Sequence, residues 1–558
     1  MSFELRDRFS AAKTLSGNAL QRLTRWATTV QLSDVPLAVQ EHAKNQVFSI
    51  LAAVHSGYSS ELGPLIEKAF VRHEAGQSHA IPLRWRISAS HAAFLMAAWS
   101  MVLDFDDVML GGHTGHSSVL VSMPYAESGG KTGGELLLAQ IVANEIAARI
   151  NMTVALGQTR GQMATHLHLI GAAAARAKLE GLDQQSFAQA IAFALSYPGV
   201  ALFPAFLGSD AKTLCASWPI KIGLDSVDAV CNGLHANPDV LEGPRGFIRS
   251  LAQFPRMEFL EEIGTNWHTE TNSFKIYPGC GYISGIIDAT IALVQAHNIR
   301  PQEVESVDIF ASLFTLGMEA HSQPYLCGSQ SLISTLTFST AYGVASAIIY
   351  RALKPQHFSR ESVANQSLWE ITRRIRLHHD VRITIDSLKG DIPIGLALSR
   401  AGRLQAFFFT LGLCNKALSK KPTLAHLAAK LRIATSMAAC AAKSDAFRFV
   451  NSKKSLGARV EIHTTDRRTL VHAVSIPKGF AGQESWKSAR AMMRGKFVDC
   501  ASVNVGRDAA LEAADLLERL EDLQAADIQR VVELNCIDSR RAYGLQSQVT
   551  AKSAMLAP

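Results

Sequence analysis

The amino-acid sequence predicts a mostly α-helical protein with a large all-α helical domain and a smaller α+β domain. Three observations support this fold class. Residues 16–270 are dominated by Ala/Leu-rich segments with the periodicity of helices. Segments with the alternating apolar and polar residues of β-strands appear only after about residue 275, with helical segments between and after them. A chain of 558 residues is also too long for one ordinary core, so we expect more than one domain.

The helical segments of the first region lie around residues 36–57, 88–103, 133–157, 168–180, 184–196 and 222–234. The central ones are apolar on all sides, so we expect them to be buried inside a bundle. In G-L-D-Q-Q-S, residues 181–186, we expect Gly181 to end one helix and Asp183 to cap the next.

The second region mixes strands and helices. We expect a strand at residues 305–312, E-S-V-D-I-F-A-S, and a hairpin over residues 458–476 that turns at Asp466-Arg467-Arg468. Helices are expected at residues 283–297, 332–353 and 505–525, whereas residues 384–455 fit neither pattern. The predicted division is a helical domain over 1–272, an α+β domain over 273–480, and C-terminal helices over 481–558 that return to the first domain.

The composition indicates which classes of partner and substrate to expect. Hydrophobic residues make up 48% of the chain and charged residues 18%, which is typical of a globular protein with a sizeable core. No apolar stretch reaches the roughly 20 residues that a membrane span needs, so we expect no membrane partner. The net charge of +7 comes without a basic block or arginine-rich arm, which argues against a nucleic-acid partner and is compatible with a pocket for an anionic substrate.

The cysteines and the N-terminus predict the compartment. The eight cysteines include no C-x-x-C pair, so we expect reduced thiols and neither a zinc ribbon nor a cysteine-bound iron–sulfur cluster of the usual spacing. The N-terminal residues lack the apolar block and cleavage site of a secretory signal. We therefore predict a cytoplasmic protein, with the mitochondrial matrix as the alternative because basic residues recur before residue 26.

The stretch D-F-D-D-V-M-L-G-G-H-T-G-H-S-S, residues 104–118, concentrates acids and imidazoles directly after a buried apolar helix. We expect Asp104 or Asp107 at the mouth of an interior cavity. The two glycines at 111–112 allow a sharp turn, by which His113 or His116 would fold back towards the acids.

Three interpretations of this stretch stay open. A carboxylate–imidazole acid/base site fits because proton transfer needs groups that titrate near neutrality. A metal site is less favoured because no second His/Asp cluster stands nearby at ligand spacing. The third interpretation is a polar loop at the end of a helix.

Other polar residues begin to describe an anion pocket. Lys212 precedes an apolar helix, where an ammonium group needs an anionic partner. Lys275 and Cys280 flank a Pro-Gly turn that opens a helix, and a helix N-terminus beside a lysine suits a carboxylate ligand. His166 and His168 are two apart, so on a helix they face different ways and cannot both line one cavity.

Seven short segments, in this order, resemble the MmgE/PrpD family, which includes 2-methylcitrate dehydratase, cis-aconitate decarboxylase and iminodisuccinate epimerase. The segments are L-D-F-D-D followed by H-S-S, G-G-E-L-L-L-A, G-A-A-A-A-R-A-K-L-E-G-L-D, P-D-V-L-E-G-P-R-G-F, K-I-Y-P-G-C, F-S-T-A-Y-G-V-A and V-S-I-P-K-G. They span roughly residues 85–525 and leave out much of 384–455, which the resemblance marks as an insertion in the second domain.

The resemblance implies a fold, a mode of action and an assembly. It implies a helical domain covered by an α+β lid, with the active site in the cleft between them, and a homodimer. It also implies an enzyme that uses no metal or other cofactor and acts on small di- or tricarboxylates. Such an enzyme removes a proton next to a carboxylate and expels hydroxide, or releases carbon dioxide.

Carried over position by position, the resemblance assigns candidate roles. His116 is the expected proton-transfer group, and Asp104 orients it or shares its proton. Lys212 and Lys275 are expected to hold substrate carboxylates, and Tyr325 lies near the position of a lid tyrosine with catalytic function. Asp107, His113 and Cys280 complete the expected substrate-binding set together with Gln162.

This sequence departs from the family pattern at several of these positions. Gln162 stands where the family has a catalytic histidine, and Cys215 and Val108 replace a histidine and a threonine. Met101 replaces another polar residue before the D-F-D-D motif. These losses of polar groups favour a more apolar substrate, or a loss of activity.

The leading prediction is therefore a hydro-lyase, a dehydratase of a 2-alkylcitrate or 2-methylcitrate-like tricarboxylate. The alternatives are a decarboxylase of a cis-aconitate-like acid, an epimerase of a small dicarboxylate, and a catalytically inactive, dimeric ligand-binding relative.

Overall fold

The structure, a computed structural model, describes residues 18–71, 75–157, 161–162, 165–390, 392–417, 424–441, 448–483 and 485–537. Helices dominate these residues, and the strands form one four-stranded sheet and short two-stranded pairs. The predicted fold class, mostly α with a smaller α+β part, is confirmed.

The first region consists of helices joined by very short strands. Its α-helices are α1 (Ala19–Thr29), α2 (Leu37–Tyr58), α3 (Leu62–Phe70), α4 (Ala89–Ser100), α5 (Gly115–Ser128), α6 (Gly133–Met152), α7 (His166–Leu179), α8 (Gln184–Ala194), α9 (Phe203–Gly208), α10 (Ser217–Cys231) and α11 (Phe247–Leu251). Its strands are β1 (Ser78–His79), β2 (Arg86–Ile87), β3 (Asp107–Val108), β4 (Gly161–Gln162), β5 (Ala201–Leu202) and β6 (Ser273–Phe274).

The second region contains the longer strands and ends in helices. Its strands are β7 (Val304–Ala311), β8 (Ile375–His379), β9 (Ala458–Thr464) and β10 (Thr469–Val474). Its α-helices are α12 (Ser284–Ala296), α13 (Leu313–Ser322), α14 (Ile333–Leu336), α15 (Thr340–Tyr350), α16 (Arg360–Val363), α17 (Gln366–Thr372), α18 (Val381–Lys389), α19 (Pro393–Ser399), α20 (Arg403–Ala417), α21 (Leu424–Cys440), α22 (Trp486–Val505), α23 (Arg507–Glu518) and α24 (Ala525–Leu534).

Local sequence signals explain where several helices begin and end. The Thr132 hydroxyl accepts from the backbone N–H of Glu135, whose carboxylate binds back to the N–H of Thr132, so α6 begins with a capping box. The Asp183 carboxylate caps α8 by accepting from the N–H of Ser186. Gly181 has φ +69°, the left-handed conformation that ends a helix. The predicted helix stop and cap are thus confirmed.

Helix α7 lies at the centre of the helical region, in contact with α5, α6, α8 and α10. The alanines at 172–175 are completely buried, and such small side chains let the neighbouring helices approach closely. Gly171 faces Ser117 of α5, whose hydroxyl occupies the space that a Cβ would need. The predicted burial of the apolar central helices is confirmed.

The four-stranded sheet has the order β10-β9-β7-β8, with β8 parallel to β7 and the other pairs antiparallel. Helix α12 covers β9 and β10 and also packs on α15. The hairpin between β9 and β10 turns through Arg467, which has φ +67°. The predicted strand at 305–312 and the predicted hairpin are both confirmed.

Two predicted segments differ in detail. The helix expected over 332–353 is broken, because Ser339 caps a new helix by accepting from the N–H of Tyr342. The helix expected over 505–525 begins only after Gly506, whose φ of +89° ends α22. The start of the stretch 384–455, which fitted neither pattern, belongs to helix α18, and the Asp380 carboxylate accepts from the first free N–H groups of that helix.

Helix α22, in the C-terminal part of the chain, lies close to the segment that carries the acids and imidazoles. Helix α22 packs along α2, and β3 pairs with β6, so residues 104–108, 273–275 and α22 lie together. The exact domain boundaries stay a prediction. None of the helices in the described part of the chain has the length and apolarity needed to cross a membrane.

Candidate active site

A small pocket opens where the end of α4, the start of α5 and the start of α7 meet. The residues that line it are Met101, Asp104, His113, His116, Gln162, Thr165, His168, Phe206 and Cys215. Acidic, imidazole and apolar side chains therefore share one small cavity. A more open depression lined by residues 450–453, 482, 483 and 485 offers no carboxylate or imidazole among its described lining residues.

The backbone between α4 and α5 creates the polar part of this pocket. Asp104 has φ +52°, an unusual left-handed conformation for a residue other than glycine, and Gly112 has φ +125°. Between them, β3 pairs with β6, which places Lys275 directly below Asp104 and Asp106. The predicted sharp turn brings both histidines back to the acids.

Asp106 is the centre of the polar cluster. Its Oδ2 atom lies 2.6 Å from Nδ1 of His113 and 3.1 Å from Nε2 of His116, and its Oδ1 atom accepts from Lys275 Nζ at 2.8 Å. Burial opposes ionisation of this carboxyl, but Lys275 and the two imidazoles outweigh burial and hold the pKa of Asp106 well below its usual range. Asp106 is therefore a carboxylate at neutral pH.

His116 has a hydrogen-bond acceptor on each side of its ring. Nε2 faces Asp106, and Nδ1 lies 2.7 Å from the hydroxyl oxygen of Ser100. That hydroxyl donates to the carbonyl oxygen of Ala97 at 2.9 Å, so its oxygen remains able to accept from His116. Both ring nitrogens of His116 therefore have a hydrogen-bonding partner, and the ring also borders the pocket, as a proton-transfer group requires.

Asp104 faces the pocket between two lysines. Its carboxylate lies 3.1 Å from Lys275 Nζ and 3.5 Å from Lys212 Nζ. Burial opposes ionisation, but the two lysines lower the pKa of Asp104 below its usual value. Lys212 also donates to the carbonyl oxygen of Met101 at 2.6 Å, so it fixes the end of α4.

The two lysines do not lie on the wall of the pocket, where we expected them as ligands of substrate carboxylates. Both are completely buried and neither is among the residues that line the cavity. Their charges are directed at Asp104 and Asp106. In this structure they therefore hold the aspartates and lie beneath the pocket surface.

Three other predicted site residues lie away from the cavity wall. Asp107 accepts from Gln46 at 2.7 Å on the far side of the loop, and burial raises its pKa. Cys280 is buried, and burial raises the pKa of its thiol to about 12. Tyr325 packs against Gly208 at the end of α9 and does not line the cavity.

His168 lines the pocket although the sequence did not single it out for a role. Its ring lies edge-on to His116 with the centroids 5.5 Å apart, and among the described residues its Nδ1 atom has no hydrogen-bond partner. Burial lowers the pKa of His168 well below its usual value, so the ring is neutral. His166 points elsewhere, to Asn151 at 2.5 Å, as the helical spacing predicts.

Gln162 reaches the pocket through strand pairing. Its strand β4 pairs with β5, and Gln162 lines the cavity together with Thr165. The side chain that replaces the expected second histidine therefore does face the candidate site. A neutral amide at this position can donate to a carboxylate but cannot transfer a proton.

By distance alone, Asp106, His113 and His116 could hold a cation, because one ligand atom of each lies within 4.8 Å of the others. The ammonium group of Lys275, 2.8 Å from Asp106, already supplies positive charge there. Hydrogen bonds account for the observed contacts of all three side chains, so we treat the group as an acid/base cluster.

Comparison with known proteins decides the family. The MmgE/PrpD N-terminal domain matches residues 21–260 and the MmgE/PrpD C-terminal domain matches residues 277–396. The chain belongs to the MmgE/PrpD family. The resemblance inferred from the short segments is thereby confirmed. The C-terminal match of this MmgE/PrpD protein ends at residue 396, within α19 and before α20 and α21.

Two relatives of this MmgE/PrpD protein are named cis-aconitate decarboxylase. One, from Aspergillus terreus strain NIH 2624 / FGSC A1156, is 22% identical over 394 residues, which cover 66% of this chain and 80% of that protein. The other, from Aspergillus terreus, is 22% identical over 390 residues, covering 66% and 79%.

Proposed function

We propose that the protein is a cofactor-independent carboxy-lyase that decarboxylates an unsaturated tricarboxylate such as cis-aconitate. The observation that carries this proposal is that His113 and His116 both bond to one oxygen of Asp106. The two imidazoles therefore form one proton-transfer unit. The names of the two relatives support the same reaction class.

A single proton-transfer unit suffices for decarboxylation. When the bond between a carbon atom and its carboxylate breaks, carbon dioxide leaves and the electron pair stays on the remaining carbon framework. One proton delivered to that framework completes the reaction, and His116 is the group we propose to deliver it. His113, whose side chain is 27% exposed, can exchange protons with solvent at the pocket mouth.

The rest of the pocket suits a substrate with several carboxylates and an apolar part. The side-chain amide of Gln162 can donate hydrogen bonds to a carboxylate. Met101 and Phe206 form an apolar wall, and a carboxylate that becomes neutral carbon dioxide loses charge in surroundings that solvate charge poorly. Lys212 and Lys275 influence the substrate indirectly, because they hold the carboxylates of Asp104 and Asp106 in place.

A second candidate is the dehydratase of a 2-alkylcitrate-like acid. Dehydration needs one group to remove a proton from carbon and another to protonate the leaving hydroxyl group. His113 and His116 both border the cavity and could divide these two tasks, and the apolar wall would accept an alkyl chain. A homodimer and a cytoplasmic or mitochondrial-matrix location stay predictions from the sequence.

The experiment is to incubate the purified protein with cis-aconitate, citrate, 2-methylcitrate and longer alkylcitrates and to follow the products by mass spectrometry. Loss of carbon dioxide from cis-aconitate supports the carboxy-lyase, and loss of water from a citrate supports the hydro-lyase instead. His116→Ala should reduce the rate by at least about 100-fold. The matched control is His472→Ala, which changes an exposed histidine on β10 and should leave the full rate. Turnover of none of the acids would refute the enzyme proposal.

A further inference from the structure

A buried lysine near the end of the chain, Lys496, lies beneath the candidate active site. It belongs to α22 and lies outside both segments that match the family domains. Its ammonium group donates to the carbonyl oxygens of Phe105 at 2.7 Å and Lys275 at 2.9 Å, and to the hydroxyl oxygen of Ser49 at 3.0 Å. Phe105 stands between the two aspartates of the cluster, so two of these three bonds reach segments that carry site residues.

The surroundings make this cation unusual. Lys496 forms no ion pair with any residue in the described ranges, and its Nζ atom lies 3.9 Å from the ring centroid of Phe105. All three N–H donors of the ammonium group have acceptors, which offsets part of the cost of burial. An apolar side chain would be cheaper to bury, but it could not join two backbone carbonyl groups.

We propose that Lys496 is a positioning residue whose charged ammonium group ties the backbone of the Asp104–Asp106 segment to that of Lys275. These hydrogen bonds hold Asp104, Asp106 and Lys275 in their relative positions, and through Asp106 they also hold His113 and His116 in place. The kinetic part of this inference rests on the proposed function, whereas its geometric part can be measured without turnover.

Protonation of Lys496 gives the tie a pH dependence. Burial lowers the pKa of Lys496 to about 7, against the opposing effects of Cys500, Asp106 and Asp107, and Lys275 lowers it further. Loss of the proton leaves two N–H donors for three acceptors, so one bond is lost. Because the charged form disappears as pH rises through the pKa, we expect kcat to fall on the alkaline side of neutrality.

The kinetic test compares Lys496→Met with the wild-type protein across pH. At about pH 6 we expect kcat to be at least about tenfold lower in the variant, with KM changed by less than about threefold. At about pH 9 the ratio of the two rates should be smaller, because wild-type Lys496 has then lost its proton and one of its three hydrogen bonds. Lys487→Met, an exposed lysine of the same helix, should follow the wild type at every pH. Equal rates at all pH values, or a constant ratio across pH, would overturn the proposal.

The geometric test uses hydrogen–deuterium exchange of the same proteins. Lys496→Met should speed amide exchange in residues 103–108 and 273–279 and leave the rest of the chain unchanged. If Lys496→Met does not fold, Lys496→Arg provides the second variant, because it stays charged and should lose the alkaline fall in kcat. If the wild type turns over none of the acids, the proposed function fails but exchange still tests the tie. Unchanged exchange in both segments, or a uniform increase, would contradict it.

Discussion

At Asp104 the backbone conformation determines which substitution isolates the role of the charge. Asn tolerates the left-handed region, whereas Ala adds a strain of about 1 kcal/mol there. Asp104→Asn should therefore lower kcat/KM by about 100-fold if Asp104 shares in proton transfer, with a smaller change in Tm than Asp104→Ala. Steady-state kinetics and thermal unfolding of both variants give the comparison. A rate for Asp104→Asn near that of the wild type would remove Asp104 from the mechanism.

Asp106 should make the stability of the protein depend on acid pH. A carboxyl group in the unfolded chain titrates near pH 3.9, and Asp106 has a lower pKa in the folded state. Its contribution to stability is therefore complete above about pH 4 and disappears as pH falls through the folded-state pKa. Asp106→Asn should lose about 3–5 kcal/mol at neutral pH and show a shallower fall in unfolding free energy in acid. Urea unfolding at several pH values measures both effects, and an unchanged slope below about pH 4 would contradict the assignment.

Sequence reasoning found most of the individual residues but not their arrangement. The stretch 104–118 was identified from its acids and imidazoles, and three of the site residues predicted outside it, Gln162, Lys212 and Lys275, line the pocket or lie just below it. Nothing local distinguishes Asp106 from Asp104 and Asp107. The difference comes from the long-range pairing of β3 with β6, which directs Lys275 to Asp106 and leaves Asp107 facing Gln46. His168 was missed because helical spacing separates it from His166 without saying which of the two faces the pocket.

At the scale of elements, periodicity and caps predicted the helices well, and they failed where one side chain starts a new helix. Gly181 ends α7 and Asp183 caps α8, and because both effects are local, the sequence alone predicted the boundary between the two helices. The helix expected over 332–353 looked continuous because its apolar pattern is continuous. The break arises from Ser339, a residue type that is favoured at helix caps but also occurs inside helices, so its presence alone did not mark the boundary.

The contact between α2 and α4 depends on a glycine. A Cβ atom on Gly57 would overlap the carbonyl oxygen of Trp99, which is completely buried and cannot move away easily. Gly57→Ala should therefore destabilise the protein by at least about 2 kcal/mol. The matched control is Gly317→Ala in α13, where open space surrounds the position and alanine should add about 0.5–1 kcal/mol of stability. Chemical denaturation of both variants tests the pair, and equal effects would show that the helices can separate to make room.

On the scale of the whole molecule, the site is built from parts that are far apart in the sequence. The acids and imidazoles come from residues 104–116, Lys275 from the segment before α12, and Lys496 from α22 near the end of the chain. Only three-dimensional contacts bring these parts together, such as the packing of α22 along α2. No local pattern marks Lys496 as different from other lysines, which is why sequence reasoning did not select it.

Buried imidazoles distributed over the whole helical region should make the protein unstable in mild acid. Burial lowers the pKa of His55 to about 4 and that of His166 to about 3. The unfolded chain takes up protons below about pH 6.5, so each ring contributes its full stability above that pH and loses it as pH falls towards the folded-state pKa. For His55 the loss amounts to about 3 kcal/mol, a large part of the net stability of a typical domain.

We therefore expect Tm to fall steeply between about pH 6.5 and pH 4, before most carboxyl groups titrate. His55→Gln should reduce the steepness of this fall even if it lowers Tm at neutral pH, because glutamine takes up no proton on unfolding. His472→Gln, an exposed position, should leave the curve unchanged. A constant Tm over this pH range would mean that the folded and unfolded states take up the same number of protons, and that buried neutral histidines do not limit the acid stability of this fold.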